Sequence, residues 1–172
     1  MDNILQYVKT QIIEPEIQEE EINVYHLIRE KLDIYFELAR ANNTELLNLT
    51  DPGDKIRGNR VLLSVIIHNL IDNAIKVTNG GQVRISFRST RVGHELIVQD
   101  SGIGMTTEQL TWINESTNNE HINSLSGYRN TGLGFIIIRD LAAILNLGLR
   151  AAEEDGMTAF YLSFTGNGNP TS

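Results

Sequence analysis

Apolar residues recur every three to four positions in two long stretches, and alternate with polar ones in several short stretches. The first helical pattern follows Asn23, which has the right chemistry for an N-cap. It carries Leu27, Ile28, Leu32, Tyr35, Phe36 and Leu38, and predicts a helix to about Asn42. The second, RVLLSVIIHNLIDNAIK, predicts a helix from Asn59 until Asn79-Gly80-Gly81 ends it. ELLNLT (45–50) reads as a short strand, and DPGDKIRGN as a loop. QVRISFRST and HELIVQD alternate as two strands turned by Arg91-Val92-Gly93. Residues 101–130 are polar, with a short helix expected around 107–114. TGLGFIIIRDLAAILN opens on glycines and becomes an apolar helix. GLRAAEE and MTAFYLSF close the chain as strands.

Strands paired by hairpins, with helices between them, predict an α+β fold, a two-layer sandwich in which helices cover one face of a mixed sheet. Residues 1–14 space Ile4, Leu5, Val8 and Ile12 helically and read as the last turns of a longer helix. Pro15 and the acidic run EIQEEE then mark a boundary. The expected organisation is a helix end and linker over 1–19, one domain over 20–165, and a tail over 166–172.

A hydrophobic share of 41% supports a packed core, and a net charge of −8 disfavours general nucleic-acid binding. The absence of cysteine removes disulfides and thiolate metal sites and fits a reducing compartment. No apolar run reaches the roughly 20 residues of a membrane span, and no secretory signal is expected.

Three places carry candidate chemistry. Asn69, Asn73 and Lys76 fall within an arc of about 60° on one helix, beside the apolar stripe. Amides on such a face are either solvated or hold an oxygen-rich ligand. Asp100-Ser101-Gly102-Ile103-Gly104 follows a strand directly. The Asp100 carboxylate can accept from an exocyclic amine, and the glycines permit a tight turn. With Thr107 where a third glycine would fall, the run lacks the dinucleotide fingerprint, and no P-loop occurs anywhere. Thr131-Gly132-Leu133-Gly134 opens a helix, where free N–H groups suit phosphate.

In order and spacing, Asn69/Asn73, DSGIGM, TGLGF and Gly156-x-Thr158 resemble the N, G1, G2 and G3 boxes of the GHKL superfamily. Within it, the catalytic ATP-binding domain of sensor histidine kinases is the nearest match, over about residues 20–165. The resemblance implies the histidine-kinase ATPase fold and ATP with Mg²⁺ as cofactors. It implies Asn73 as the Mg²⁺ ligand, Asn69 as support for metal or phosphate, and Lys76 on phosphate. It gives Asp100 the adenine amine, with Gly102 and Gly104 making room for the base and Thr158 supporting Asp100 and a water. Gly132 and Gly134 would offer N–H groups to phosphate, and Met105, Thr131 and Leu133 complete the nucleotide-binding set. Residues 106–130 would form a mobile lid, with Arg129 reaching the terminal phosphate as a catalytic cation beside Asn69 and Lys76. Two features depart from the family pattern: Asn130 stands for the first glycine of G-x-G-x-G, and only Trp112 approximates the aromatic F box.

The resemblance also implies partners. The phosphoacceptor is a histidine on a dimerising helix hairpin outside this chain, and a response regulator takes the phosphate onward. His94-Glu95-Leu96 imitates acceptor wording but sits in a strand, and neither His26, His68 nor His121 suits the role. The isolated domain is expected to be monomeric and cytoplasmic, without nucleic-acid or membrane contact of its own, whether or not the full-length protein is membrane-anchored. A nucleotide-sensing or protein-binding GHKL module without phosphotransfer, and an anti-sigma-type serine kinase, are the alternatives.

Overall fold

The computed structural model describes residues 19–115 and 125–165, with backbone only for 125–131. The helix expected over 1–14, the tail at 166–172, His121 and the side chains of Arg129 and Thr131 therefore lie outside the described residues.

Eleven elements follow one another among the described residues: β1 (Glu20–Asn23), α1 (Val24–Ala41), β2 (Glu45–Asn48), β3 (Lys55–Gly58), α2 (Arg60–Val77), β4 (Gln82–Thr90), β5 (Gly93–Asp100), α3 (Thr107–Glu115), α4 (Leu125–Ile144), β6 (Gly148–Glu154) and β7 (Met157–Thr165). α1 and α2 start at the expected caps. The Asn23 side chain accepts from His26 N, and that of Asn59 from Leu62 N. These bonds satisfy backbone donors that have no partner within the helix.

The main sheet runs β2-β4-β5-β7-β6. β2 pairs parallel to β4, and the other neighbours are antiparallel, as expected for a mixed sheet. α2 lies between α1 and α4 and buries Leu62, Leu63, Ile66, Ile67, Leu70, Ile71, Ala74 and Ile75. The core they share with the sheet includes Val83, Ile85, Leu96, Val98, Phe160 and Leu162. On the other face, a small cluster of Ile97, Ala159 and Tyr161 is roofed by Arg150, whose guanidinium lies 3.7 Å from the Tyr161 ring centroid.

Two regions differ from the sequence expectation. The acidic run ends in β1, and the loop at 51–59 contains β3. The two pair antiparallel with Ile22 opposite Ile56, both buried. Helical backbone also begins at Leu125, earlier than the pattern indicates, and is broken at Gly132 (φ 73°, ψ 157°). Only glycine adopts that conformation readily, so the apolar helix restarts there.

Candidate functional site

α2 ends at Val77 beneath the strand ends of the sheet. The buried Thr78 closes it, donating from Oγ1 to Ala74 O at 2.7 Å, while Thr44 Oγ1 donates to Thr78 O at 3.0 Å. Asn69 and Asn73 therefore lie in the C-terminal half of a helix fixed at both ends. Asn69 donates its Nδ2 to Val65 O at 2.8 Å, which turns the amide oxygen outward. Asn73 Nδ2 is buried and has no hydrogen-bond partner among the described residues. Such an orphan costs on the order of 1–3 kcal/mol and calls for a ligand.

The two amides meet the restarted part of α4. A Cβ on Gly134 would lie 3.3 Å from both Asn69 Oδ1 and Asn73 Oδ1. The glycine thus lets the α4 backbone come down onto both asparagines. Lys76 is turned to Asp72, with which it forms an exposed ion pair one helical turn back.

The DSGIGM segment is wedged against the end of α2. Ile103 N donates to Val77 O at 3.3 Å, and a Cβ on Gly102 would lie 2.5 Å from that same oxygen. Backbone cannot yield as a side chain can. Gly102→Ala should therefore destabilise the fold by about 1–3 kcal/mol and impair nucleotide binding with it, as thermal melts and calorimetry would measure.

Asp100 is 2% exposed. Burial pushes its carboxyl up to about 6; the Gly102 N–H, donated at 3.0 Å, opposes the shift, and the nearby Glu153 charge adds to it. Thr158 lies opposite Asp100 in register, as its expected role requires, but its hydroxyl donates to Glu153 Oε1 at 3.0 Å. Gly104 takes φ +80°, and Met105 N also donates to Glu153 Oε1, at 2.8 Å. Glu153 was not singled out in the sequence, because nothing in the strand pattern GLRAAEE sets it apart.

At the other end of the motifs, Leu133 is exposed beside the broken helix, as is Ile103 in the DSGIGM segment. Arg129 and Thr131 lie on the helical backbone just before the Gly132 break. His68 packs against Tyr35, with its Nε2 3.1 Å from the hydroxyl, and His94 stacks on Phe87 within the sheet. Neither is presented for chemistry.

The profile of the family of histidine kinase-, DNA gyrase B- and HSP90-like ATPases matches residues 58–166, from the end of β3 to the end of β7. The chain belongs to this family. It is an ATP-binding catalytic domain of the sensor histidine kinase type, as its relatives also indicate. The autoinducer 2 sensor kinase/phosphatase LuxQ of Vibrio vulnificus is 28% identical over 95% of this chain and 20% of its own length. The sensor protein QseC of Salmonella typhi is 33% identical over 81% of this chain and 30% of its own length. This domain thus spans less than a third of either relative. The catalytic domain of histidine kinase ThkA shares the fold, with a TM-score of 0.69 at 19% identity, covering 85% of this chain and 94% of that one. Among the described residues of the domain, no helix is long and apolar enough to cross a membrane.

Proposed function

We propose that this domain binds Mg·ATP between α2, the DSGIGM segment and the start of the restarted α4, and donates the γ-phosphoryl group to a histidine outside the chain. The observation that carries the reading is the convergence of Asn69 and Asn73 on Gly134, with a buried Asn73 Nδ2 that has no hydrogen-bond partner among the described residues. An amide offers both things that a metal triphosphate needs. Oδ1 is a hard neutral ligand suited to Mg²⁺, and Nδ2 donates to a phosphate oxygen. Asn73 would hold the cation with support from Asn69. A cation held there would supply positive charge to offset that of the triphosphate during transfer.

The chain's own groups do the rest. Asp100 accepts from the adenine amine at the buried end. Backbone N–H groups following the break at Gly132 face the phosphates, helped by the positive end of the helix. Lys76 exchanges Asp72 for phosphate when nucleotide enters, and Arg129 supplies a second cation at the terminal phosphate. We assign the domain to residues 20–165, acting in the cytoplasm as one part of a two-component kinase. Its partners are the phosphoacceptor helix hairpin and, through that, a response regulator.

Position 69 separates transfer from hydrolysis. An amide cannot act as a general base near neutral pH, and the Asn69 donor end is committed to Val65 O. Such a base typically contributes about 10²- to 10⁴-fold. Neutral imidazole is already a nucleophile and needs less help than water. The purified chain should therefore release phosphate from ATP only at background rate and retain no acid-labile label. Robust steady-state release by wild type would overturn the kinase assignment in favour of a hydrolase, and label on His94 would show that this chain carries its own acceptor.

A further inference from the structure

The sheet register sets three polar side chains in one row. Asp100 on β5 is opposite Thr158 on β7, and Thr158 is opposite Glu153 on β6. Directly opposed residues share a face, so all three lie side by side on one face of the sheet. Their hydrogen bonds assign the protons. Thr158 has one hydroxyl proton, and it goes to Glu153 Oε1 at 3.0 Å. Met105 N donates to that same oxygen at 2.8 Å. A Cβ on Gly104 would lie 3.5 Å from both Glu153 carboxylate oxygens, so the carboxylate lies directly over the glycine of the base-binding segment. Asp100 feels the Glu153 charge, which helps raise its carboxyl towards about 6.

We propose that Glu153 is a specificity-determining residue of the nucleotide site, which makes the edge facing the purine 6-position acceptor-only. This rests on the reading of Asp100 as the adenine-amine acceptor. With the Thr158 proton held by Glu153, this row offers the base two carboxylates and a hydroxyl lone pair. A 6-amino group supplies protons to such an edge. A 6-oxo group brings only lone pairs and meets like-signed charge with no donor to turn towards it. A 6-oxo group facing these acceptors finds no donor, at greatest cost beside the buried Asp100, and the Glu153 carboxylate, exposed and already accepting from Thr158 and Met105 N, adds a second negative charge that sharpens the choice made by the first. Glu153 also fastens the DSGIGM segment to the β6–β7 hairpin through Met105 N, a role that acts on every nucleotide alike.

The two roles separate in a ratio. Affinities of wild type, Glu153→Gln and Glu153→Ala for ATP and inosine triphosphate would be measured by calorimetry at one Mg²⁺ concentration. Gln keeps an oxygen for Met105 N and Thr158 while removing the charge and adding a donor. Ala frees the Thr158 proton and loosens the segment. The preference for ATP over inosine triphosphate should narrow by about tenfold in both variants, whatever happens to the absolute affinities. A parallel change for both nucleotides, with the ratio intact, would leave Glu153 as a fastener only and overturn the proposal. Wild type that binds neither nucleotide would sink the ATP-site reading itself, a different and recognisable outcome.

Discussion

Asn73→Ala should lower Mg²⁺-supported ATP affinity by about 10- to 100-fold while leaving the fold as stable as before, or more so. The loss in binding reflects one carbonyl ligand to the cation and one donor to a charged phosphate oxygen. The unchanged stability has a separate cause. Asn73 Nδ2 makes no hydrogen bond among the described residues, so its removal breaks none there and relieves a buried unpaired group. Alanine is also the better helix former at this interior position of α2. Calorimetry with and without Mg²⁺, alongside thermal melts, reads both quantities. A variant that melts earlier and binds ATP as wild type does would show that the amide serves the fold, and would remove the metal site from α2.

Asp100→Asn should weaken ATP binding at neutral pH and abolish a pH dependence that wild type shows near 6. In wild type, the carboxyl titrates at about 6 without ligand, because burial opposes its charge. A base amine donating to it favours the ionised form. Below the titration point, binding must first expel a proton, so ATP affinity should fall by up to about tenfold per pH unit as pH drops below 6, and level off above it. Asparagine does not titrate, so its binding curve should be flat over that range. Folding stability runs the other way. Between the ordinary value of 3.8 and about 6, the native state holds a proton that the unfolded chain has released. The contribution of Asp100 is therefore fully present below 3.8 and is lost as pH rises through 6. The Asn variant should lack this slope. Denaturant melts and ATP titrations from pH 5 to 8 test both, and a wild-type affinity independent of pH would remove Asp100 from the base edge.

Much of this was legible because the informative patterns are local. Two helices with asparagine caps, the β4–β5 hairpin, and the closing strands β6 and β7 each carry their period and their stop signals within a dozen or so residues. The order of the asparagine pair, DSGIGM, TGLGF and Gly156-x-Thr158 was readable for the same reason, and the family match covers that stretch. The ribbon of β1 and β3 was not. Each strand has four residues, two of them charged, and only the pairing of Ile22 with Ile56 across the chain makes either a strand. No window of either segment contains that partner.

The same limit applies within the site. The sequence alone determined the order and spacing of the candidate nucleotide-site motifs, since motif spacing depends only on the chain. Tertiary structure alone decided what each polar atom does before a ligand arrives. It set Lys76 against Asp72, left Asn73 Nδ2 unpaired, and brought Gly134 onto both asparagines. It also gave the Thr158 proton to Glu153, a residue that nothing in the strand pattern GLRAAEE sets apart. Hydrogen-bond partners depend on sheet register and on the close approach of α2 and α4, and both are set by the packing of the whole core rather than by any one segment.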